Sequence, residues 1–269
     1  MHFEIDDTAT VHVIPCLRDN YAYLLENRVS RDLVLIDAPE AAPILSALST
    51  LGGLPHLRAI WSTHHHHDHV GGNLALGEAF RLSGHARHAL PIQGHAHDRD
   101  RIPGLTMSLE DRDEWFLDDL KIEALHVPGH TLGALAYFVE TPSSRLLFTG
   151  DTLFLGGCGR IFEGTPEMMW RSLSRLASLP PDTRIFCGHE YTRQNLLFAA
   201  TLEPRNEAIT RRLASLPAMT MGSPLALELE TNPFLRPHSP ELRQALGLMT
   251  ASDVEVFAAT RRAKDIFRA

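Results

Sequence analysis

Residues 63–72 read THHHHDHVGG and follow directly on the apolar run Ala59, Ile60, Trp61. An apolar run that ends in four groups of metal-ligand chemistry, His64, His66, Asp68 and His69, predicts a buried strand whose end carries a site. In an extended strand end, residues two apart point the same way. His64 and His66 can therefore grip one cation while Asp68 and His69 turn toward a second. A His run can also be an affinity tag or a solvated loop, but tags sit at termini and do not follow an apolar strand. Because the chain holds 16 His, local clusters are common in it, and the case rests on distant partners.

Three later segments repeat the design. Residues 120–127 run into Pro128, Gly129, His130 and Thr131; residues 146–148 into Thr149, Gly150, Asp151 and Thr152; residues 185–187 into Gly188, His189 and Glu190. Each is a short apolar strand followed by a Gly and then a residue of ligand type. Loops at one edge of a sandwich or open sheet are where a rigid scaffold holds a site, and Gly lets the backbone turn sharply there. Singly, His130, Asp151 and His189 read as ordinary structural residues. Together with the first stretch, four strand ends offer seven ligand-type side chains.

Around these ends, strands are expected at 11–14, 21–25 and 33–36, with breaks at Pro15, at 18–20 and at Arg31-Asp32. Ile44, Leu45, Leu48 and Leu51 recur at helical spacing before Gly52-Gly53, and a short helix is expected at 73–80. The segment 85–104 carries further His at 85, 88, 95 and 97. Its string His95, Ala96, His97, Asp98 looks like a second metal clasp. With no apolar strand leading into it and Gly, Arg and Asp around it, the string reads as a solvated loop.

Beyond residue 190 strand-like runs largely stop, and helices are expected at 194–202, 205–216, 239–246 and 252–267. Pro240 follows Ser239 at a first helical position, and Ser252 with Glu255 makes a capping box. The change of texture divides the chain into domains at 1–190 and 191–269. On the last helix Arg261 and Lys264, three apart, share one face.

Composition bounds the rest. A chain of 269 residues with 44% hydrophobic content can bury one large core and a small satellite. A net charge of −8 argues against nucleic acid or an anionic membrane as the main partner. No apolar run approaches the roughly 20 residues needed to cross a bilayer, and the acidic N-terminus lacks a leader pattern. Cys16, Cys158 and Cys187 are odd in number and lack CxxC spacing, so they read as packing residues in a reducing compartment, by default the cytoplasm. With no exposed apolar stripe, a monomer is expected.

The HxHxDH stretch, PGHTLG, FTGDTLF, GGCGR, CGHEYT, TNPFLR and the terminal RRAKD together resemble the hydroxyacylglutathione hydrolase (glyoxalase II) family of the metallo-β-lactamase superfamily. The first motif marks only the superfamily; GHEYT, NPFLR and the basic terminal helix narrow it. The resemblance implies an α+β fold: an αββα metallo-β-lactamase sandwich carrying a binuclear metal site, and a small C-terminal α-helical domain that helps bind glutathione. It implies that His64, His66 and His130 hold one metal, that Asp68, His69 and His189 hold the other, and that Asp151 bridges them. Arg160, Tyr191, Arg261 and Lys264 fall where the family contacts the glutathione moiety. Phe162 stands where members often have Tyr, which would remove one hydroxyl contact, and Ala134 stands where many have His.

The implied reaction is hydrolysis of S-D-lactoylglutathione and related 2-hydroxyacyl thioesters, the second step of methylglyoxal detoxification. Two divalent ions about 3.5 Å apart would bring the pKa of a bridging water toward neutrality and supply hydroxide to the thioester carbonyl. Asp68 would orient that hydroxide and Asp151 keep the ions close. Glutathione would leave as a thiolate that needs little help from a general acid. Zinc suits the donor set, as do iron and manganese. His65 and His67, out of phase with the ligands, are expected to pack around them. The alternatives are another superfamily enzyme (a glutathione persulfide dioxygenase, a lactonase or a β-lactamase) and a non-enzymatic metal-binding module.

Overall fold

The computed structural model describes residues 1–84 and 88–268, so His85 lies outside the described residues. The chain divides into two compact units, residues 1–126 with 133–150 and residues 127–132 with 151–269.

The first unit carries β1 (His2–Glu4), β2 (Ala9–Cys16), β3 (Asn20–Asn27), β4 (Leu33–Ile36), α1 (Ala41–Thr50), β5 (Leu57–Trp61), α2 (His67–Val70) and α3 (Asn73–Leu82), then β6 (Ile92–His95), β7 (Met107–Leu109), β8 (Glu114–Leu117), β9 (Leu120–His126), β10 (Leu135–Glu140) and β11 (Arg145–Gly150). Strands β1 to β7 form one sheet in sequence order, antiparallel as far as β4 and parallel from there on. Strands β8 to β11 pair antiparallel as consecutive neighbours in a second sheet.

The first sheet is apolar on both faces, and the alternation of side chains decides what each face meets. Ala22, Leu24, Leu33, Leu35, Ile60 and Ile92 share one core with Ile44 and Leu48 of α1 and Leu76 of α3. The residues between them face the second sheet: the Tyr23 ring lies 5.5 Å from Phe148 of β11, and Trp61 lies 5.3 Å from Tyr137 of β10. The Tyr137 hydroxyl donates to the Ser62 carbonyl at 2.8 Å, which ties the strand end below His64 to the second sheet.

Two expectations need correction. Pro15 does not break β2; it pairs with Tyr21 inside the strand, past the last β1 partner at His12, where a missing N–H leaves no ladder bond unmade. The segment at 95–98 is not a solvated loop, because β6 leads straight into it and the Asp98 side chain is fully buried.

The second unit holds β12 (Leu153–Phe154), β13 (Gly157–Cys158), α4 (Pro166–Ala177), β14 (Arg184–Cys187), α5 (Thr192–Leu202), α6 (Glu207–Ala214), β15 (Ser223–Pro224), α7 (Leu225–Thr231), α8 (Pro240–Leu246) and α9 (Asp253–Ile266). The expected caps are present: the Ser239 hydroxyl accepts from Leu242 N, and Ser252 with Glu255 forms the capping box of α9. Helix α9 packs its Phe257 ring 6.0 Å from both Trp170 of α4 and Phe234. A buried ion pair, Arg212 with Glu228, lies under the β12–β13 turn, where Glu228 accepts from the Gly156 N–H at 2.6 Å. Asn232 of the TNPFLR stretch donates to the Phe154 and Gly157 carbonyls at 3.1 and 2.9 Å. The hairpin that leads to Cys158 and Arg160 is thereby fixed on three sides.

Candidate metal centre and substrate cavity

In the first unit the site begins where β5 ends. The chain bends at Thr63, runs on without helix through His66 and turns helical at His67, so that α2 carries Asp68 and His69. His64 Nε2 lies 3.1 Å from His66 Nδ1, and the rings of His64 and His69 have centroids 4.1 Å apart. Two imidazole nitrogens sharing one tetrahedral cation at about 2.0–2.1 Å each stand roughly 3.4 Å apart, close to that separation.

The positions of these side chains are fixed from behind. Asp37, buried and in the left-handed region at φ 57°, accepts from Thr63 N at 2.7 Å and from the Thr63 hydroxyl at 2.8 Å, and meets His69 Nδ1 at 2.7 Å. A carboxylate on Nδ1 sets the tautomer that turns the Nε2 lone pair outward, the arrangement metal-ligating His residues use. Asn20 holds Asp68 twice, at its carbonyl (2.9 Å) and at Oδ2 (3.1 Å). Gly150 at the end of β11, at φ +48°, leaves no room for a side chain, since a Cβ there would stand 2.5 Å from the Thr63 hydroxyl oxygen.

The second unit carries three ligand-type residues of its own, His130, Asp151 and His189. Asp151 Oδ2 lies 3.5 Å from His130 Nε2 and 3.4 Å from His189 Nε2. One carboxylate oxygen thus stands nearly equidistant from two imidazole nitrogens, a spacing compatible with shared metal ligation. His130 Nδ1 meets the Arg160 carbonyl at 2.7 Å, which turns Nε2 toward Asp151. His189 stacks on Tyr191 with centroids 4.9 Å apart.

The fit to a divalent metal can be judged from these donors. Imidazoles with their second nitrogen already engaged, joined by carboxylates and without thiolate, suit zinc, iron or manganese. His64, His69, His130 and His189 are each at most 5% exposed, so bulk water does not compete for their nitrogens. The residues present therefore fit such ions, while the donor set does not choose among them.

Beside His130 and Asp151 the second unit encloses a cavity of about 350 Å³ lined also by Arg160, Phe162, Tyr191, Arg261 and Lys264. Asp265 gathers its cations: its Oδ1 stands 3.3 Å from Arg160 Nε and 3.1 Å from Arg261 Nη2. Arg261 also donates to the Cys158 carbonyl at 2.9 Å and lies over the Phe234 ring, so it is structural as well as facing the cavity. Lys264 donates to the Gln194 carbonyl and packs over Phe198 and Phe267; burial, with Arg261 nearby, lowers its pKa to about 8. Phe162 is 61% exposed at the rim, edge-on to His130 at 5.2 Å. Cys158 lines the cavity, but burial raises its thiol to about 11, which removes it as a nucleophile near neutrality. Ala134 is buried and makes no part of this cavity lining.

Asn20, Asp37 and Asp265 were not named as site residues from the sequence, and Asp98 was considered in the string 95–98 and set aside. An Asp at the end of the apolar run 33–36 was a signal for Asp37, and Asp265 stood in the RRAKD stretch; Asn20 depends on Asp68, 48 residues away.

Residues 17–189 match the metallo-beta-lactamase superfamily, and residues 190–267 match the hydroxyacylglutathione hydrolase C-terminus. The chain is 47% identical over 261 residues to a hydroxyacylglutathione hydrolase of Methylococcus capsulatus, covering 95% of this chain and 97% of that one. Among solved structures, BLEG-1 B3 metallo-beta-lactamase is similar in fold, with a TM-score of 0.63 at 21% identity over 84% of this chain and 99% of that one. TTHA1623, solved in a di-iron-bound form, has a TM-score of 0.58 at 29% identity over 83% of this chain and 98% of that one. The fold is the expected α+β sandwich with a C-terminal helical region, and the protein is a hydrolase. With both segments matched over most of its length, this chain belongs to the hydroxyacylglutathione hydrolase family of the metallo-β-lactamase superfamily.

Proposed function

We propose that the protein hydrolyses S-D-lactoylglutathione and related 2-hydroxyacyl thioesters to glutathione and a 2-hydroxy acid. One observation carries the reading furthest: the cavity that holds the ligand-type pair His130 and Asp151 also presents Arg160, Arg261 and Lys264. A substrate with carboxylates at one end and a reactive carbonyl at the other suits such a lining.

In this reading, which follows the family resemblance, His64, His66 and His130 would hold one divalent ion and Asp68, His69 and His189 a second, with Asp151 shared between them. The donor chemistry and the di-iron relative support two ions, with zinc the expected metal. When bound, such a pair supplies a nucleophile at neutral pH and a Lewis acid for the thioester carbonyl. Asp37 and the Arg160 carbonyl keep Nε2 of His69 and His130 aimed at the site. Asp68, steadied by Asn20 at one carboxylate oxygen, orients the attacking water through the other. The leaving thiolate, of pKa about 8.5 as a free thiol, departs without a dedicated acid. Arg160, Tyr191, Arg261 and Lys264 bind the glutathione carboxylates and backbone, and Phe162 packs at the rim. Residues 1–190 then form the catalytic domain and residues 191–269 the glutathione-binding domain.

The three Cys are buried and form no disulfide among the described residues, which suits work in a reducing compartment such as the cytoplasm; a monomer is the proposed state. Among the described residues no helix is long and apolar enough to cross a membrane. A direct test compares lactoylglutathione with the lactoyl thioester of a small uncharged thiol. The reading expects kcat/KM to fall at least tenfold for the uncharged thioester, mostly through KM. Equal turnover of the two would show that the cationic cavity is not the glutathione site.

A further inference from the structure

We propose that Asp98 and Arg101 position the metal-binding loop by holding His65, the residue between two ligands. The inference rests on the assignment of His64 and His66 as ligands given above. It starts from topology: β5 and β6 run parallel, with Ile60 opposite Ile92 and Trp61 opposite Gln93, so both strands release their chains at the same sheet edge. Ser62 N bonds the Gln93 carbonyl at 2.8 Å, which continues the pairing up to the His loop. The turn after β6 is thereby set beside residues 62–66.

What that turn presents is a fully buried carboxylate. Asp98 Oδ2 lies 3.2 Å from His65 Nδ1, Arg101 Nη1 lies 3.3 Å from His65 Nε2, and Arg101 Nη2 donates to Asp98 Oδ1. A guanidinium can only donate and an ionised carboxylate can only accept. The carboxylate at one ring nitrogen and the guanidinium at the other engage both nitrogens of His65 in a closed triangle. The ring cannot flip or rotate without breaking two contacts, and its backbone carries His64 on one side and His66 on the other.

Gly133 gives the carboxylate its space. A Cβ there would stand 2.4 Å from Asp98 Cγ and 2.5 Å from each carboxylate oxygen, so any side chain at 133 would displace Asp98. Gly133 lies three residues after His130 in the chain. Asp98 touches no ligand; it acts through the residue between them. Orienting groups of this kind alter metal affinity by about 10–100-fold when lost.

The test compares zinc affinity of the wild type, Asp98→Asn and Arg101→Gln by chelator competition, with visible spectra of their cobalt-substituted forms and the melting of the metal-free proteins. Asn keeps the shape of Asp but loses its charge, and Arg101 is partly exposed, so at least one variant should fold. The expected result is a loss of about tenfold in zinc affinity and a shifted cobalt spectrum in each folded variant, with metal-free melting near wild type. The double variant should be no worse than the weaker single one, because both act on one ring. Zinc affinity within twofold of wild type, an unmoved cobalt spectrum, or a loss matched by equal destabilisation of the metal-free protein would overturn the proposal. A wild type that binds no zinc would instead overturn the ligand assignment itself.

Discussion

His69 shows what a single residue in this protein requires. Its Nδ1 meets Asp37 at 2.7 Å, and Asp37 in turn holds Thr63 through two further bonds, so one buried carboxylate places a candidate ligand and the strand end that precedes it. His66 has a simpler setting beside His64, and His66→Ala should lose metal and activity together; full metal content with normal turnover would refute its place as a ligand. Lys264 sets a pH dependence. Burial lowers its pKa to about 8 from an ordinary 10.5, so the free enzyme loses this charge as pH rises through about 8. KM for an anionic thioester should rise above that pH while kcat changes less, and Lys264→Met should abolish the inflection. The sign for stability is opposite: between about 8 and 10.5 the unfolded chain holds a proton that the folded chain does not, so this group's contribution improves with pH there. The candidate ligands were readable from sequence because each follows an apolar run. Asn20, Asp37 and Asp98 were not, because they act through contacts 26 to 48 residues away.

At the scale of elements, the strand-then-ligand pattern was legible because strands are short, apolar and stopped by Gly. The turn after β6 was misread because its own sequence is polar, and what buries Asp98 is the neighbouring His loop. Pro15 was misread for a related reason, since a break signal loses its force where a strand has no partner to disappoint. Helix α4 escaped notice although Thr165 caps it ahead of Pro166 and Met169, Leu173 and Leu176 share its buried face. Helix α9 was well marked, and its box supplies a prediction. Ser252→Ala removes the oxygen that accepts from Glu255 N, and should cost about 1 kcal/mol in denaturant unfolding. An unchanged midpoint would mean that α9 is held by packing alone through Phe257 and its neighbours.

For the molecule as a whole, the net charge of −8 and the cationic lining of one cavity belong together. A net negative charge discourages polyanions, while in the proposed reading Arg160, Arg261 and Lys264 offer a small anion a place to bind. The family assignment draws on the whole chain, since the superfamily motif alone would leave lactonases and dioxygenases open and the C-terminal segment narrows the choice. The central claim is that thioester hydrolysis depends on a pair of divalent ions held by these seven side chains. The most direct measurement is titration of metal-free protein with zinc, following bound metal and hydrolysis of S-D-lactoylglutathione on the same sample. The account predicts that activity rises with binding and saturates at about two ions per chain. Saturation of binding at two ions without thioester cleavage, or full cleavage by the metal-free protein, would contradict it.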